Sequence, residues 1–223
     1  MPSANAILFG VLSAALGGGA IVLNADVRML GSNRGYAPRQ PVAFSHRIHA
    51  GDLRMDCQYC HSGARRSRLA GVPSASVCMN CHARVTARLD SVLEERERAA
   101  AEGREERTPV APELAKLYAA TGFDPESGAY AHEPAGPIEW VRVHNLADFV
   151  WFDHRPHVAR GLACEACHGP VQSMDRMRQE APLTMGWCLD CHRTQAADSR
   201  APTSAAGLRA AHHVTTDCVN CHL

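Results

Sequence analysis

The chain has 223 residues, with 23 basic and 23 acidic side chains and so no formal net charge, a balance that points to neither nucleic acid nor acidic substrates. Aromatic residues make up only 5% and large aliphatic side chains are thinly spread, so the material for an ordinary apolar core is sparse.

The first element is "AILFGVLSAALGGGAIVL", Ala6 to Leu23, eighteen residues without a charge. This length is short for a bilayer span and long for the apolar region of a signal peptide. The reading adopted is an uncleaved transmembrane anchor over residues 1–25, with a cleavable signal as the alternative. The consecutive glycines Gly17 to Gly19 form a face that another membrane helix can approach closely. Arg28, Arg34 and Arg39 then lie on the exported side, against the positive-inside tendency.

Two motifs follow in quick succession. "FSHRIH", Phe44 to His49, precedes "CQYCH" at Cys57 and "CMNCH" at Cys78. Next comes "LDSVLEERERAAAEGREER", Leu89 to Arg107, which reads as a charged, solvated helix with pairs such as Glu94–Arg98. A second short helix is expected from Pro112, and Asp124 to Pro137 is a loop rich in breakers, with His132 an ordinary polar residue in it. The earlier pattern then returns. "WVRVHNLADFV" leads into "FDHRPH", Phe152 to His157, followed by "CEACH" at Cys164, "CLDCH" at Cys188 and finally "CVNCH" at Cys218.

The five Cys-x-x-Cys-His motifs use all ten cysteines. Cysteines three apart lie on one helical face, and the histidine four residues after the first faces the same way. Two thioethers and one axial iron ligand are thus available from a single turn, which is the attachment signature of c-type haem. Paired Cys-x-x-Cys units also suit zinc, but zinc does not explain a histidine after every pair. A disulfide framework has no need of the spacing. Five covalent haem c groups are therefore expected on Cys57, Cys60, Cys78, Cys81, Cys164, Cys167, Cys188, Cys191, Cys218 and Cys221, with proximal ligands His61, His82, His168, His192 and His222.

One ring per roughly 45 residues makes the porphyrins much of the core. The expected fold is mainly α and irregular: a multihaem c-type cytochrome with a haem-dominated core, short helices, long loops and one N-terminal transmembrane helix. Residues 40–83 form a first two-haem module, 84–138 a charged helical insert and linker, 139–193 a second two-haem module, and 194–223 a C-terminal segment with the fifth haem.

Eight histidines remain for the sixth iron positions. His46, His49, His154 and His157 of the repeated Phe-x-His-x-x-His phrase are the first candidates, because two histidines three apart can serve two neighbouring rings. His144, in an aromatic and apolar stretch, is the fifth. His212 and His213 are in reserve, and Met185 is a weaker thioether candidate better suited to packing. No lysine replaces a motif histidine, as it often does in multihaem reductases; the single lysine, Lys116, follows no Cys-x-x-Cys.

These stretches, above all "WVRVHNLADFV" and "LTMGWCLDCHR" in that order, resemble the class III multihaem cytochromes and, among them, the pentahaem A subunits of bacterial alternative complex III. The likeness spans roughly two thirds of the chain; the insert between Cys81 and Trp140 looks longer than the family's link. The resemblance implies an electron-transfer subunit without catalysis of its own, with His46, His49, His144, His154 and His157 as distal ligands. It implies an iron–sulfur/molybdopterin-like subunit and polytopic quinone-site membrane subunits as partners, and a monohaem cytochrome c or terminal oxidase as acceptor. The place it implies is the bacterial cytoplasmic (inner) membrane, with the haem domain on the periplasmic side. A soluble periplasmic shuttle and a multihaem reductase are the alternatives.

Overall fold

The structure, a computed structural model, describes residues 33–198 and 214–222. The apolar segment Ala6–Leu23 and the reserve histidines His212 and His213 lie outside the described residues. Among the described residues, no helix is long and apolar enough to cross a membrane.

The haem motifs fold as short turns of helix. The first is α1 (Cys57–Cys60), whose start is capped by Asp56: its carboxylate accepts the Gln58 N–H at 2.7 Å. The second lies in α2 (Ala75–His82). Two charged-insert helices follow, α3 (Leu89–Glu102) and α4 (Pro112–Thr121), then a minimal ladder of β1 (Phe123–Asp124) on β2 (Ala129–Tyr130). The second module contains α5 (His154–Ala159), α6 (Glu165–His168) and α7 (Met185–Asp198), and the last motif is a single tight turn, Cys218–Asn220. Helices this short have little stability of their own, so other contacts must hold them.

The two Phe-x-His-x-x-His phrases reach similar ends by different backbones. In the second, Asp153 caps α5 by accepting the Arg155 N–H, and Pro156 sits inside the first turn, where an N–H would have no helical partner. The first phrase instead opens a wide turn, Arg47–Asp52, closed by the Leu53 N–H on the Ile48 carbonyl. That turn packs on the turn Val171–Ser173 of the second module. The Arg47 N–H donates to the Met174 carbonyl at 3.0 Å, and Met174 is 2% exposed. A Cβ at Gly51 would stand 2.3 Å from the Gln172 carbonyl oxygen, so only glycine allows this approach. The Arg47–Asp175 ion pair beside it is largely exposed and adds little. The two modules are therefore docked on one another.

The insert does more than separate them. Leu117, Tyr118 and Phe123 bury against Met79 of α2, and the Tyr118 hydroxyl donates to the His82 carbonyl at 2.7 Å. Pro112 opens α4 at its first position and Gly122, at φ +72°, closes it. Lys116 and Glu113 tie α4 to the start of the first module through the Pro41 carbonyl and the Ala43 N–H. The expected Glu94–Arg98 pair does not form among the described residues. Arg98 turns to Glu95, the hub to which Arg104 doubles back after the left-handed Gly103.

The polypeptide core is small. The buried apolar side chains among the described residues are Ala64, Met79, Ala99, Leu117, Tyr118, Phe123, Met174 and Ala181, of which three are alanines. Around the cysteine motifs, Tyr59, Leu69, Val72, Met185 and Val219 stand exposed. Such surface asks for a covering group.

Candidate haem sites

No two of the ten cysteines are joined in a disulfide. Among the described residues, no three His, Cys, Asp or Glu side chains converge as a metal-ion cage.

The histidines are arranged in facing pairs. His46 and His61 have ring centres 6.4 Å apart and planes 12° from parallel. His154 and His168 repeat this at 6.4 Å and 6°. His49 faces His82 at 6.1 Å, and His157 faces His192 at 6.1 Å. Two metal–imidazole bonds of about 2.0–2.1 Å, plus the offset of each nitrogen from its ring centre, sum to about 6.4 Å. Each gap thus has the width of one iron held between two imidazoles. In both modules the first histidine of the phrase faces the first motif and the second histidine faces the second.

The ring nitrogens are sorted accordingly. Nδ1 of His49, His154 and His157 lies 2.9, 2.8 and 2.7 Å from the carbonyls of Ser45, Arg68 and Asp153. On the proximal side, Nδ1 of His61, His82 and His192 lies 2.6, 2.9 and 2.7 Å from the carbonyls of Gly71, Val85 and Thr215. A carbonyl only accepts, so Nδ1 carries the proton and Nε2 keeps its lone pair for a metal. His46 is the exception, with Nδ1 buried and unpartnered. A buried polar atom of this kind calls for a group beyond the polypeptide. Burial first, then His61 and His49, bring the His46 imidazole down to about 4. Burial first, then neighbouring histidines led by His144, does the same at His168, to about 4. Both rings are thus neutral, as a ligand must be.

Two phenylalanines set these rings, a role that sequence reasoning missed although both stand in the repeated phrase. Phe44 stacks on His49 at 4.3 Å and meets His46 edge-on at 4.9 Å. Phe152 lies tilted against His157 at 4.6 Å and meets His154 edge-on at 4.8 Å. One phenyl ring thus fixes two imidazoles roughly at right angles.

His144, expected as a fifth distal ligand, stands beside a motif histidine. Its ring centre is 4.5 Å from that of His168, and its Nε2 lies 3.1 Å from His168 Nδ1. That spacing leaves no room for an iron between them. Among the described residues, no histidine faces His222 across a gap of the kind seen four times above; Phe149 stacks on it at 5.7 Å. The segment carrying His144 is locked by Gln179, which is fully buried. Its side-chain oxygen accepts the Asn145 N–H at 3.0 Å and its amide donates to the Ala181 carbonyl at 2.9 Å. Replacing Gln179 with leucine is expected to lower stability by about 1–3 kcal/mol through the orphaned backbone groups. A thermal unfolding midpoint unchanged from wild type would refute this.

The motifs also touch in sequence-distant pairs. Asn80 of the second motif donates to the Tyr59 hydroxyl of the first at 3.0 Å. Burial pushes the Cys57 thiol up, and Cys164 beside it, hydrogen-bonded to it, adds to this. Burial likewise raises Cys167, with Cys191 and Cys188 contributing, and Cys188, with Cys221 contributing. A cleft of about 460 Å³ opens at Cys167, lined by Arg34, Glu180 and Trp187 among others.

The family model described as "Cytochrome c7 and related cytochrome c" matches residues 42–104 and 150–223, more than half of the chain. The chain belongs to this family. As a multihaem cytochrome c7-type protein, it carries covalently bound haem c and serves electron transfer. The facing histidines and paired thiols described above fit that group. A curated relative is the multihaem cytochrome c subunit of menaquinone reductase from Nitratidesulfovibrio vulgaris (strain Hildenborough), 26% identical over 167 residues, which are 74% of this cytochrome and 56% of the relative. The chain thus spans little more than half the length of that relative.

Proposed function

We propose that this cytochrome is a five-haem electron wire of a membrane-bound quinol-oxidising complex. The observation that carries the wire is the unbroken run of contacts between motifs. Tyr59–Asn80 joins the second motif to the first. The Arg68 carbonyl on His154 joins the first module to the third motif. α5, with His154 and His157, spans the third and fourth, and the Thr215 carbonyl on His192 joins the fourth to the fifth. These contacts would line up the attachment sites in the order Cys78, Cys57, Cys164, Cys188 and Cys218, which is not the order of the sequence.

In this reading His46 and His61, His49 and His82, His154 and His168, and His157 and His192 are the pairs that would hold four of the irons. Bound at these positions, c-type haem supplies one-electron chemistry at each step. The chain's own residues aim the Nε2 atoms of these imidazoles, and burial keeps the His46 and His168 rings neutral. Residues 1–25 anchor the domain to the inner membrane on its periplasmic face. Polytopic quinone-site subunits and an iron–sulfur/molybdopterin-like subunit are the partners, and a monohaem cytochrome c or oxidase is the acceptor, as in alternative complex III. The menaquinone reductase relative supports a quinone-linked complex.

The test compares washed membranes with the purified cytochrome. A short-chain quinol is expected to reduce its haem in membranes, while the isolated cytochrome is reduced by dithionite and not by the quinol. Recovery of all haem in the soluble fraction would favour the shuttle instead. Quinol oxidation by the isolated cytochrome would overturn the assignment of the quinone site to other subunits.

A further inference from the structure

His144 stands beside a proximal ligand, and the geometry explains how. His168 Nδ1 lies 3.1 Å from His144 Nε2, while the His168 ring faces His154 in parallel at 6.4 Å. With Nδ1 engaged by His144, the nitrogen left for a metal on His168 is Nε2. His168 Nδ1 then donates and His144 Nε2 accepts. At three other motifs, His61, His82 and His192 donate from Nδ1 to main-chain carbonyls, which no substitution can remove. At the third motif the acceptor is a side chain, and an imidazole nitrogen is a stronger base than an amide oxygen.

The position of His144 is built. The buried Gln179 amide holds the Asn145 N–H, and the Arg142 guanidinium donates to the His144 carbonyl at 2.9 Å and to the Leu146 carbonyl at 3.4 Å. Gln179 is itself pinned by main-chain bonds to Gly35 and Tyr36. The segment thus has little freedom to swing His144 across to another ring.

We propose that His144 is a positioning residue for the third haem site: it accepts a hydrogen bond from His168 Nδ1, fixes the ring's tautomer, and raises its basicity toward the iron of the haem attached at Cys164 and Cys167. A more basic axial ligand favours the ferric state, so the bond holds the central site of the wire at a lower reduction potential than a carbonyl acceptor would. This inference rests on the bis-histidine reading of His154 and His168 above.

The test uses the mature, haem-loaded protein with His144→Phe, which keeps a ring and removes the acceptor, and His144→Gln, which restores one. Haem content, low-spin absorbance and a resolved redox titration are read on each. Expected for His144→Phe is full haem content, an unchanged low-spin spectrum and one couple moved to higher potential. About tenfold in that site's reduction equilibrium corresponds to about 59 mV for one electron. His144→Gln, whose amide oxygen is the weaker acceptor, is expected to return only part of the shift. A new high-spin signal in His144→Phe would make His144 a distal ligand and overturn the proposal, as would five unmoved couples. His154→Ala separates the two levels: if it stays fully low-spin, the bis-histidine reading itself fails, and the role of His144 with it.

Discussion

Replacing His154 with alanine is expected to leave every haem attached and to open one iron. About one fifth of the total haem should become high-spin and bind carbon monoxide when reduced, given five motifs. His154 faces His168 at 6.4 Å with planes only 6° apart, and its Nδ1 is held by the Arg68 carbonyl at 2.8 Å, so its Nε2 is the free nitrogen in that gap. Attachment depends on Cys164 and Cys167, which the substitution leaves untouched. α5 keeps its Asp153 cap, because Asp153 bonds the Arg155 N–H and not the histidine. In the proposed order the opened site is the middle one of the five, so the loss of a strong donor should raise its potential and trap electrons there. Reduction of the sites beyond it should slow by about tenfold or more, the scale of one lost ligand-shell interaction. His132→Ala is the control: it lies in the loop closed on Gly122 and should change neither signal. A His154→Ala protein with no high-spin component would remove His154 from the ligand set.

The largest loss of stability is expected from Cys164→Ala combined with Cys167→Ala, which removes the anchoring of the central ring. The polypeptide's own buried cluster, Met79, Leu117, Tyr118 and Phe123, belongs to the insert and the second motif. Nothing comparable lies under the third motif, where Met174, Gln179 and Ala181 are the buried residues nearby in sequence. A macrocycle hiding on the order of 400 Å² of apolar surface contributes about 10 kcal/mol at about 25 cal/mol per Å². That is comparable to the whole stability of a typical domain, about 5–15 kcal/mol. The double variant should therefore fail to accumulate, or unfold at much lower temperature and yield early to protease. His154→Ala, which keeps the ring in place, should lose far less. Equal unfolding midpoints for wild type and the double variant would show that the polypeptide holds the fold without that ring.

The cysteine motifs, the proximal histidines and the repeated Phe-x-His-x-x-His phrase are legible in the sequence because their chemistry is local. Two sulfurs and a nitrogen within five residues occupy one turn, and no tertiary contact is needed to see why. The helix starting at Pro112 is legible for the same reason, and so are the scarcity of strand and of apolar core. Partner choice is not local. His46 meets His61 across fifteen residues, while His154 meets the carbonyl of Arg68 from the other module, and no spacing rule ranks such pairs. His144 is the clearest case: its apolar stretch suits a ligand, but Gln179 and Arg142 fix it against His168 Nδ1.

By itself, then, the sequence determined the spacing of the attachment motifs and the set of histidines that are candidate axial ligands, because covalent spacing and helical period act within a few residues. Only the tertiary structure decided which imidazoles face each other, that the insert roofs α2, and that the first motif neighbours the third. Those outcomes depend on how distant segments fill one another's surfaces, and packing of that kind leaves no period in the chain.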